Sequence, residues 1–170
     1  KIYTCAAAMH YLGKDHQFET RIFKNRNNLY ISGGGDPDLT IMDLDSIAEA
    51  IKNKISKVDT LFIDESFMDS LNYGNGWMWD EGSWSYAAPV GPLTVNKNCV
   101  EFYISPSIHN EPAQVNTFPE TRFIKYKNQS KTKNDTVDFK KIKIERDWPG
   151  RTNLFMISGN MLDTASADTF

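Results

Sequence analysis

The chain has 170 residues and a mass of 19.4 kDa, a size that suits one domain or slightly more. Hydrophobic residues make up 40% and charged residues 24% at a mean hydropathy of -0.50, a composition that excludes collagen and intrinsic disorder. The net charge of -3 and the pI near 5.6 are opposite to the balance of a nucleic-acid binder, and no apolar run approaches the roughly 18 residues of a membrane span.

The first patterned segment is Ile2–Leu12, which consists of strong helix formers with apolar side chains on nearly every face. Gly13 follows where a helix C-cap is expected. The segment therefore predicts a buried helix, and because polar residues 14–17 follow at once, we expect its packing partners to lie elsewhere. The chain begins at Lys1 and not at Met, so we also expect residues before Lys1.

Two short strands are predicted after this helix. Phe18–Phe23 alternates between apolar and polar residues, and residues 29–31 form a second short apolar run. The run ends at residues 32–37, which contain three glycines and a proline and predict a break.

A helix and a third strand follow. Asp43 or Asp45 is placed to cap the helix, which keeps its apolar spacing to about Lys54. The positions that carry this spacing are Leu44, Ile47, Ala48, Ile51 and Ile55. Residues 61–63 then predict a fully buried strand that closes a right-handed, parallel strand-helix-strand unit.

The second half of the chain is predicted to be rich in strands. Residues 72–92 contain Gly, Pro, Trp and Tyr without a helix or strand period, which predicts a long structured loop. Strands are predicted at residues 95–105, 122–127, 137–145 and 154–158. In the first of these, one face carries Val100, Phe102 and Ile104, and the other carries Cys99, Glu101 and Tyr103. The polar residues 128–135 predict a hairpin loop.

Basic residues are concentrated between Glu120 and Arg146, where nine face only four acidic ones. In a chain of net negative charge, this pattern favours a solvated strand face over a site for a polyanion. We expect no nucleic-acid partner.

The loop Gly33–Gly35 follows a strand, as phosphate-binding loops do. Its spacing fits neither a dinucleotide fingerprint nor a P-loop, since Asp36, Pro37 and Asp38 stand where those motifs need other residues. We interpret it as a structural turn, and a nucleotide-binding α/β domain is the weakest of three functional hypotheses.

Other candidate motifs are weak. Ser130–Lys133 satisfies S-x-x-K formally, but it lies in a predicted polar loop and not on a buried helix, so we assign the match to chance. The three histidines match no metal spacing, and Cys5 and Cys99 are too few for a zinc site or a disulfide framework. We expect neither a metal nor a cofactor, and a Cys5–Cys99 pairing stays open.

The Trp77–Pro89 segment is the strongest functional candidate. Three tryptophans and a tyrosine lie beside Asp80 and Glu81, a combination that suits a ligand with an apolar stem and an ammonium group. A junction in which the aromatic side chains bury one another explains the same residues, and both interpretations stay open.

Three ordered segments resemble the class C low-molecular-mass penicillin-binding proteins, which are D-Ala-D-Ala carboxypeptidases and endopeptidases of peptidoglycan. The resemblance extends from Lys1 to about Gly159 and is weakest in the basic segment. The segments that carry it are residues 1–20, residues 29–39, and the set Gly76–Gly82, Tyr86–Pro89 and Asn96–Cys99.

The resemblance implies roles for individual residues. Lys1 matches the lysine of the S-x-x-K motif, whose serine would lie three positions earlier. Glu81 and Tyr86 match an acidic and an aromatic residue that reach the free amino group of the substrate's diamino acid, and Asp80 takes the acidic role if the loop shifts by one. Ser158–Asn160 and Lys131–Lys133 resemble the family's S-x-N and K-T-G motifs only superficially, and we expect neither to be catalytic.

The resemblance also implies an architecture, of class α/β in a mixed α+β arrangement. A small Rossmann-like strand-helix-strand unit is nested in a β-rich subdomain, and a helix of the transpeptidase-like domain precedes it. The expected divisions are the catalytic-domain helix at 1–13, the β-rich subdomain at 14–24 and 93–163, the inserted α/β subdomain at 25–75, the Trp-rich junction loop at 76–92 and a return to the catalytic domain at 164–170.

We therefore expect the chain to be the insert of a serine-type D-Ala-D-Ala carboxypeptidase, inactive alone and located outside the cytoplasmic membrane. Its expected partners are peptidoglycan peptides and, for the full-length protein, beta-lactams. The main alternative is a non-catalytic module that binds cell wall or protein. The preference between carboxypeptidase and endopeptidase action, and homo-oligomerisation, stay open.

Overall fold

The computed structural model describes residues 1–77, 84–150 and 152–170. The described part is a mixed α+β structure with two α-helices and several small sheets. Contacts divide it into two compact units. The first comprises residues 1–72 and 90–95, and the second comprises residues 73–89 and 96–170.

Helix α1 spans Ile2–Leu12, as predicted, and Gly13 follows it with a φ of 82°. None of its residues is buried by the described chain, so the burial predicted for this helix would need packing partners elsewhere, and that part stays a prediction. Ile2, Tyr3 and Tyr11 are each more than four-fifths exposed. The apolar surface of α1 is thus uncovered by the rest of the described chain.

The first unit contains a three-stranded sheet in the order β1–β2–β3. Its strands are β1 (Arg21–Asn25), β2 (Asn28–Ser32) and β3 (Thr60–Asp64). Strand β1 pairs with β2 antiparallel, and β3 pairs with β2 parallel, which confirms the predicted parallel pairing. Strand β1 begins three residues later than the predicted strand at Phe18. The predicted full burial of residues 61–63 is wrong, because β3 is an edge strand and every one of its residues is exposed.

Helix α2 spans Ile41–Lys52 and begins with a capping box. The Thr40 hydroxyl accepts a hydrogen bond from the Asp43 backbone amide at 3.2 Å, and the Thr40 amide donates to the Asp43 carboxylate at 2.8 Å. The cap is therefore Thr40, and the prediction of Asp43 or Asp45 as the cap is wrong. Asp43 is instead the reciprocal partner of the cap in the first turn.

The glycine segment after β2, Gly33–Gly35, forms hydrogen bonds with neighbouring backbone. The amide of Gly33 donates to the carbonyl of Asp64 at 3.2 Å, and that of Gly35 donates to the carbonyl of Pro92 at 2.8 Å. A Cβ on Gly34 would lie 2.2 Å from the carbonyl oxygen of Glu19. The segment needs glycine for close backbone approach, and two of its amides are already satisfied, so the structural interpretation of this loop is the appropriate one.

The second unit contains three small sheets. One has the order β11–β4–β5, with β4 at Glu101–Ser105, β5 at Gln114–Phe118 and β11 at Asp168–Thr169. Another has the order β6–β9–β8, with β6 at Lys125–Asn128, β8 at Lys143–Arg146 and β9 at Leu154–Ser158. The third pairs β7 (Lys131–Lys133) with β10 (Asn160–Leu162) in parallel.

The core of the second unit is apolar and draws on several of these strands. Its buried members are Phe102, Ile104, Ala113, Ile157 and Met161. Phe102 and Ile104 lie on the face of β4 that the sequence predicts to be apolar, while Glu101 and Tyr103 are exposed on the other face. The two-residue alternation therefore predicts the faces of this strand correctly.

The prediction of a hairpin loop at 128–135 is wrong. Residues 131–133 form strand β7, and the side chains of Ser130 and Thr132 are buried. The Ser130 hydroxyl accepts from the amide of Ala113 at 3.1 Å, and the Thr132 hydroxyl accepts from the amide of Ser107 at 3.0 Å. Polar residues enter this interior because backbone amides satisfy them.

Three predicted strands are shorter or shifted. The segment predicted at 95–105 is extended only in β4, because residues 96–98 form a turn. Strand β6 covers the end of the segment predicted at 122–127, and β8 begins at Lys143 within the segment predicted at 137–145. Strand β9 matches its prediction at 154–158.

Three further properties hold for the described residues. No helix is long and apolar enough to cross a membrane, and no group of three metal-ligating side chains occurs. Cys5 and Cys99 are both free thiols.

Candidate functional site

The candidate site lies in the aromatic segment of the second unit, residues 73–89, of which residues 78–83 fall outside the described part. After this gap, Ser85–Ala87 forms a single 3₁₀ turn. The amide of Ala87 donates to the carbonyl of Trp84 at 3.0 Å. Ala87 is buried, so it anchors the turn while its neighbours face solvent.

Trp84 and Tyr86 form a stacked pair on this turn. Their ring centroids are 6.3 Å apart and their planes differ by 10°. Trp84 is 63% exposed and Tyr86 is 68% exposed. Two exposed, parallel aromatic rings provide a face on which an ammonium group with an apolar stem can rest. Within the described residues, the prediction that the aromatic side chains merely bury one another does not apply to this pair.

A second aromatic cluster lies around Tyr73. Its ring meets Trp77 edge-on at 6.0 Å and Trp148 edge-on at 5.3 Å, and the guanidinium of Arg146 lies 5.3 Å from the centre of the Trp148 ring. Trp148 is not among the site residues predicted from the sequence, because it lies far along the chain from the loop. Its neighbours Pro149 and Gly150 mark a turn, and this was the available signal.

A left-handed turn at Asn96–Asn98 lies beside the 3₁₀ turn. Asn96, Lys97 and Asn98 have φ angles of 49°, 57° and 53°. Left-handed backbone costs L-residues roughly 1–2 kcal/mol each, and asparagine tolerates it better than most residues do. The Asn98 side-chain amide donates to the carbonyl of Pro89 at 2.7 Å.

Cys99 follows this turn directly. Its thiol lies 3.3 Å from the carbonyl oxygen of Lys97 and 4.0 Å from that of Ser85. Partial burial raises the pKa of the Cys99 thiol, and the Glu101 carboxylate raises it further against the opposing effect of Lys97. The thiol is therefore protonated at neutral pH and suited to a packing role, not to nucleophilic attack.

Lys1, the predicted catalytic lysine, belongs to the first unit. It precedes α1, and its carbonyl accepts a hydrogen bond from the amide of Cys5 at 2.9 Å. Its side chain is exposed and makes no capping hydrogen bond with the helix. A lysine at this position projects from the start of a helix, and its catalytic role stays a prediction.

The other predicted site residues divide between described and undescribed segments. Glu81 and Asp80 lie outside the described residues. Tyr86 is described and exposed, and its neighbour in space is Trp84. Ser158–Asn160 connects β9 directly to β10, and its glycine has a φ of 100°.

Comparison with known proteins identifies the family. Residues 1–169 match the D-Ala-D-Ala carboxypeptidase 3 (S13) family. This chain therefore belongs to that family of penicillin-binding carboxypeptidases, which confirms the resemblance seen in the sequence.

Curated relatives are of moderate similarity. The chain is 30% identical over 131 residues to a D-alanyl-D-alanine carboxypeptidase of an Actinomadura species, covering 68% of this chain and 24% of the relative. It is 31% identical over 125 residues to the D-alanyl-D-alanine carboxypeptidase DacB of Haemophilus influenzae, covering 68% of this chain and 26% of the relative. The chain thus spans about a quarter of the length of these relatives.

Solved structures show the same fold. The crystal structure of penicillin binding protein 4 (dacB) from Haemophilus influenzae superposes with a TM-score of 0.74 at 23% identity, covering 99% of this chain and 39% of that one. A second structure of that protein, complexed with a novel beta-lactam, gives a TM-score of 0.62 at 21% identity, with coverages of 99% and 37%.

Proposed function

We propose that this chain is part of a serine-type D-Ala-D-Ala carboxypeptidase that acts on the stem peptides of peptidoglycan, with endopeptidase action on cross-links as a second activity. The observation that carries the proposal is the family match over residues 1–169. The relatives are carboxypeptidases by name, and one solved relative was crystallised with a beta-lactam.

Lys1 is the proposed general base. It would accept the proton of a serine three positions earlier, outside this chain, as that serine attacks the carbonyl of the penultimate D-Ala. The carbon–nitrogen bond to the terminal D-Ala then breaks, and the leaving amine takes up the proton. Water hydrolyses the resulting acyl-enzyme and restores the serine. Beta-lactams would acylate the same serine, and we propose that the segment alone is inactive.

The aromatic segment is the proposed contact for the substrate's side chain. The exposed faces of Trp84 and Tyr86 suit the apolar stem and the ammonium group of a diamino acid. Glu81 is the proposed acidic partner of that ammonium group, with Asp80 as the alternative. A carboxylate beside aromatic faces favours a free amine over an acylated one, because acylation removes the positive charge.

Further features of the proposal concern the full-length protein. The exposed apolar surface of α1 would pack against the catalytic domain, and β2, α2 and β3 would form a Rossmann-like unit nested in a β-rich subdomain. We propose that the protein acts outside the cytoplasmic membrane, because its substrate lies there. The family match supports these features of the proposal.

The proposal is tested with the full-length protein and two matched peptides ending in D-Ala-D-Ala, one with a free side-chain amine on its diamino acid and one with that amine acetylated. We expect release of D-Ala from both and a higher kcat/KM for the free amine. Glu81→Gln and Tyr86→Ala should reduce the preference by roughly tenfold each, the equivalent of about 1.4 kcal/mol.

Tyr103→Ala is the matched control, because Tyr103 is exposed on β4 outside the aromatic segment. It should leave the preference unchanged. Unchanged kcat/KM for Glu81→Gln and Tyr86→Ala would contradict the proposed substrate contact. Absence of any D-Ala release would support a non-catalytic module instead.

A further inference from the structure

The left-handed turn at Asn96–Asn98 interrupts a segment whose sequence favours a strand. Lys97 and Asn98 are both exposed, so the turn does not serve to bury their side chains in the core. A glycine would adopt these φ angles without the steric conflict that a Cβ creates. The presence of side chains here therefore needs a reason beyond the turn itself.

Asn98 supplies such a reason through its amide. The side-chain nitrogen donates to the carbonyl oxygen of Pro89 at 2.7 Å, a short hydrogen bond across nine residues. Pro89 closes the segment that begins at Trp84. The Asn98 amide supplies the donor for the Pro89 carbonyl from outside that segment.

The next residue makes a second contact on the other side of Tyr86. The thiol of Cys99 lies 4.0 Å from the carbonyl oxygen of Ser85, a long packing contact, while its nearer acceptor is the carbonyl oxygen of Lys97 at 3.3 Å. Asn98 thus contacts the carbonyl group of Pro89 and Cys99 that of Ser85, and these two carbonyl groups lie on either side of Tyr86 in the chain. Buried Ala87 provides the third fixed point between them.

We propose that Asn98 is a positioning residue for substrate recognition. Its amide holds the Pro89 carbonyl and so fixes the backbone that presents Trp84 and Tyr86 to the substrate's ammonium group. This inference rests on the proposed function, and it adds that the selectivity of the aromatic pair depends on a residue that touches neither the substrate nor the reacting atoms.

Two variants of the full-length protein test the inference. Asn98→Gly keeps the left-handed backbone and removes the amide, while Asn98→Asp keeps the shape and places a carboxylate against the Pro89 carbonyl. Lys97→Gly is the matched control, since it relieves the same backbone strain one residue earlier and leaves Asn98 in place.

The main measurement is the ratio of kcat/KM for the free-amine peptide to that for the acetylated peptide. We expect both Asn98 variants to lose roughly threefold to tenfold of this preference through KM, with kcat unchanged. Lys97→Gly should keep the preference. The rate of acylation by penicillin should stay the same in all three, which shows that folding and the reactive serine are intact.

Hydrogen exchange of the peptide covering residues 84–90 gives a second readout that does not depend on catalysis. It should become faster in both Asn98 variants and remain unchanged in Lys97→Gly. Asn98 variants that keep both the preference and slow exchange would overturn the inference alone. A wild-type protein without any preference for the free amine would overturn the proposed substrate contact, and the inference with it.

Discussion

The rings of Trp84 and Tyr86 lie 6.3 Å apart and within 10° of parallel, with Trp84 at the N-cap and Tyr86 inside the 3₁₀ turn Ser85–Ala87. The backbone of Trp84 is extended, with a φ of -90° and a ψ of 137°, so the stacked pair joins an extended residue to a helical one. Both rings are mostly exposed, and each depends on the other for part of its packing.

Replacing Trp84 should therefore weaken substrate recognition as well as the pair itself. In the full-length protein, we expect Trp84→Ala to raise KM for the free-amine peptide by roughly twofold to fivefold, since cation–π contacts contribute about 0.5–1 kcal/mol at exposed sites. Trp84→Phe keeps an aromatic face and should retain most of the affinity. Equal KM values for Trp84→Ala and wild type would show that the pair does not contact the substrate.

The capping box at Thr40 predicts a local effect on α2. Thr40→Ala should destabilise the helix by about 1 kcal/mol, because it leaves the Asp43 amide without its cap. Hydrogen exchange of the peptide covering Ile41–Lys52 should become several times faster. Ser46→Ala is a control inside the same helix, where the hydroxyl donates to a backbone carbonyl and caps nothing. Similar effects for both variants would argue against the cap.

The capping box of Thr40 and Asp43 also predicts that the stability of α2 depends on pH. Hydrogen bonds from the Thr40 hydroxyl and the Thr40 amide hold the pKa of the Asp43 carboxyl below its ordinary value. A carboxyl with a lowered folded-state pKa contributes stability above its unfolded pKa and loses it as the pH falls through the folded pKa. The difference in α2 protection factors between wild type and Asp43→Asn should therefore be full at neutral pH, begin to decline near the ordinary carboxyl pKa of about 4, and be lost only below the lowered folded-state pKa. A difference that stays constant with pH would contradict this.

Gly34 and Gly91 form a matched pair for testing the glycine segment. A Cβ on Gly34 would meet the carbonyl oxygen of Glu19 at 2.2 Å, whereas one on Gly91 would meet only a Glu65 side-chain oxygen at 3.8 Å. Gly34→Ala should destabilise the first unit by about 1–3 kcal/mol, and Gly91→Ala should have little effect. Thermal unfolding of the full-length protein, compared between the two variants, measures the difference. Equal midpoints would show that the backbone at Gly34 has room.

Thr132 and Thr60 offer a similar comparison in strands. Thr132 is fully buried and its hydroxyl accepts from the Ser107 amide at 3.0 Å, while Thr60 lies exposed on β3. Thr132→Val should cost about 1–3 kcal/mol, because it leaves the partly buried amide of Ser107 unsatisfied. Thr60→Val should change the free energy of unfolding by less than about 0.5 kcal/mol. Chemical denaturation of both variants checks this, and a neutral Thr132→Val would refute the assigned role of the hydroxyl.

Local patterns in the sequence correctly predict part of the fold. The bounds of α1 follow from its composition and from Gly13, and the faces of β4 follow from strict alternation. The parallel pairing of β2 with β3 follows from the helix between them. The first two depend on residues close together in the chain, where periodicity and turn chemistry operate, and the third depends on the rule that a strand-helix-strand connection gives parallel strands.

The remaining features of the fold depend on contacts between residues far apart in the chain, which the sequence pattern does not predict. Strand β7 consists of Lys131, Thr132 and Lys133, a polar sequence that becomes a strand because β10 and the Ser107 amide satisfy it from a distance. The exposed state of α1 and β3 has the same origin, since burial depends on which surfaces meet and not on hydrophobicity alone.

The sequence likewise predicts some residues of the candidate site and not others. Tyr86 was found from its motif and the aromatic content of its segment. Trp148 joins the cluster around Tyr73 only through tertiary structure, and the role of Asn98 depends on a left-handed turn that no simple pattern of residues specifies.

The most direct test of the account is the mass of the full-length protein after incubation with penicillin. We predict a gain of one penicillin, attached to a serine three positions before Lys1, and little or no gain for Lys1→Ala under the same conditions. A full-length protein whose mass is unchanged, or whose adduct lies elsewhere in the chain, would contradict the claim that Lys1 serves the nucleophile of a D-Ala-D-Ala carboxypeptidase.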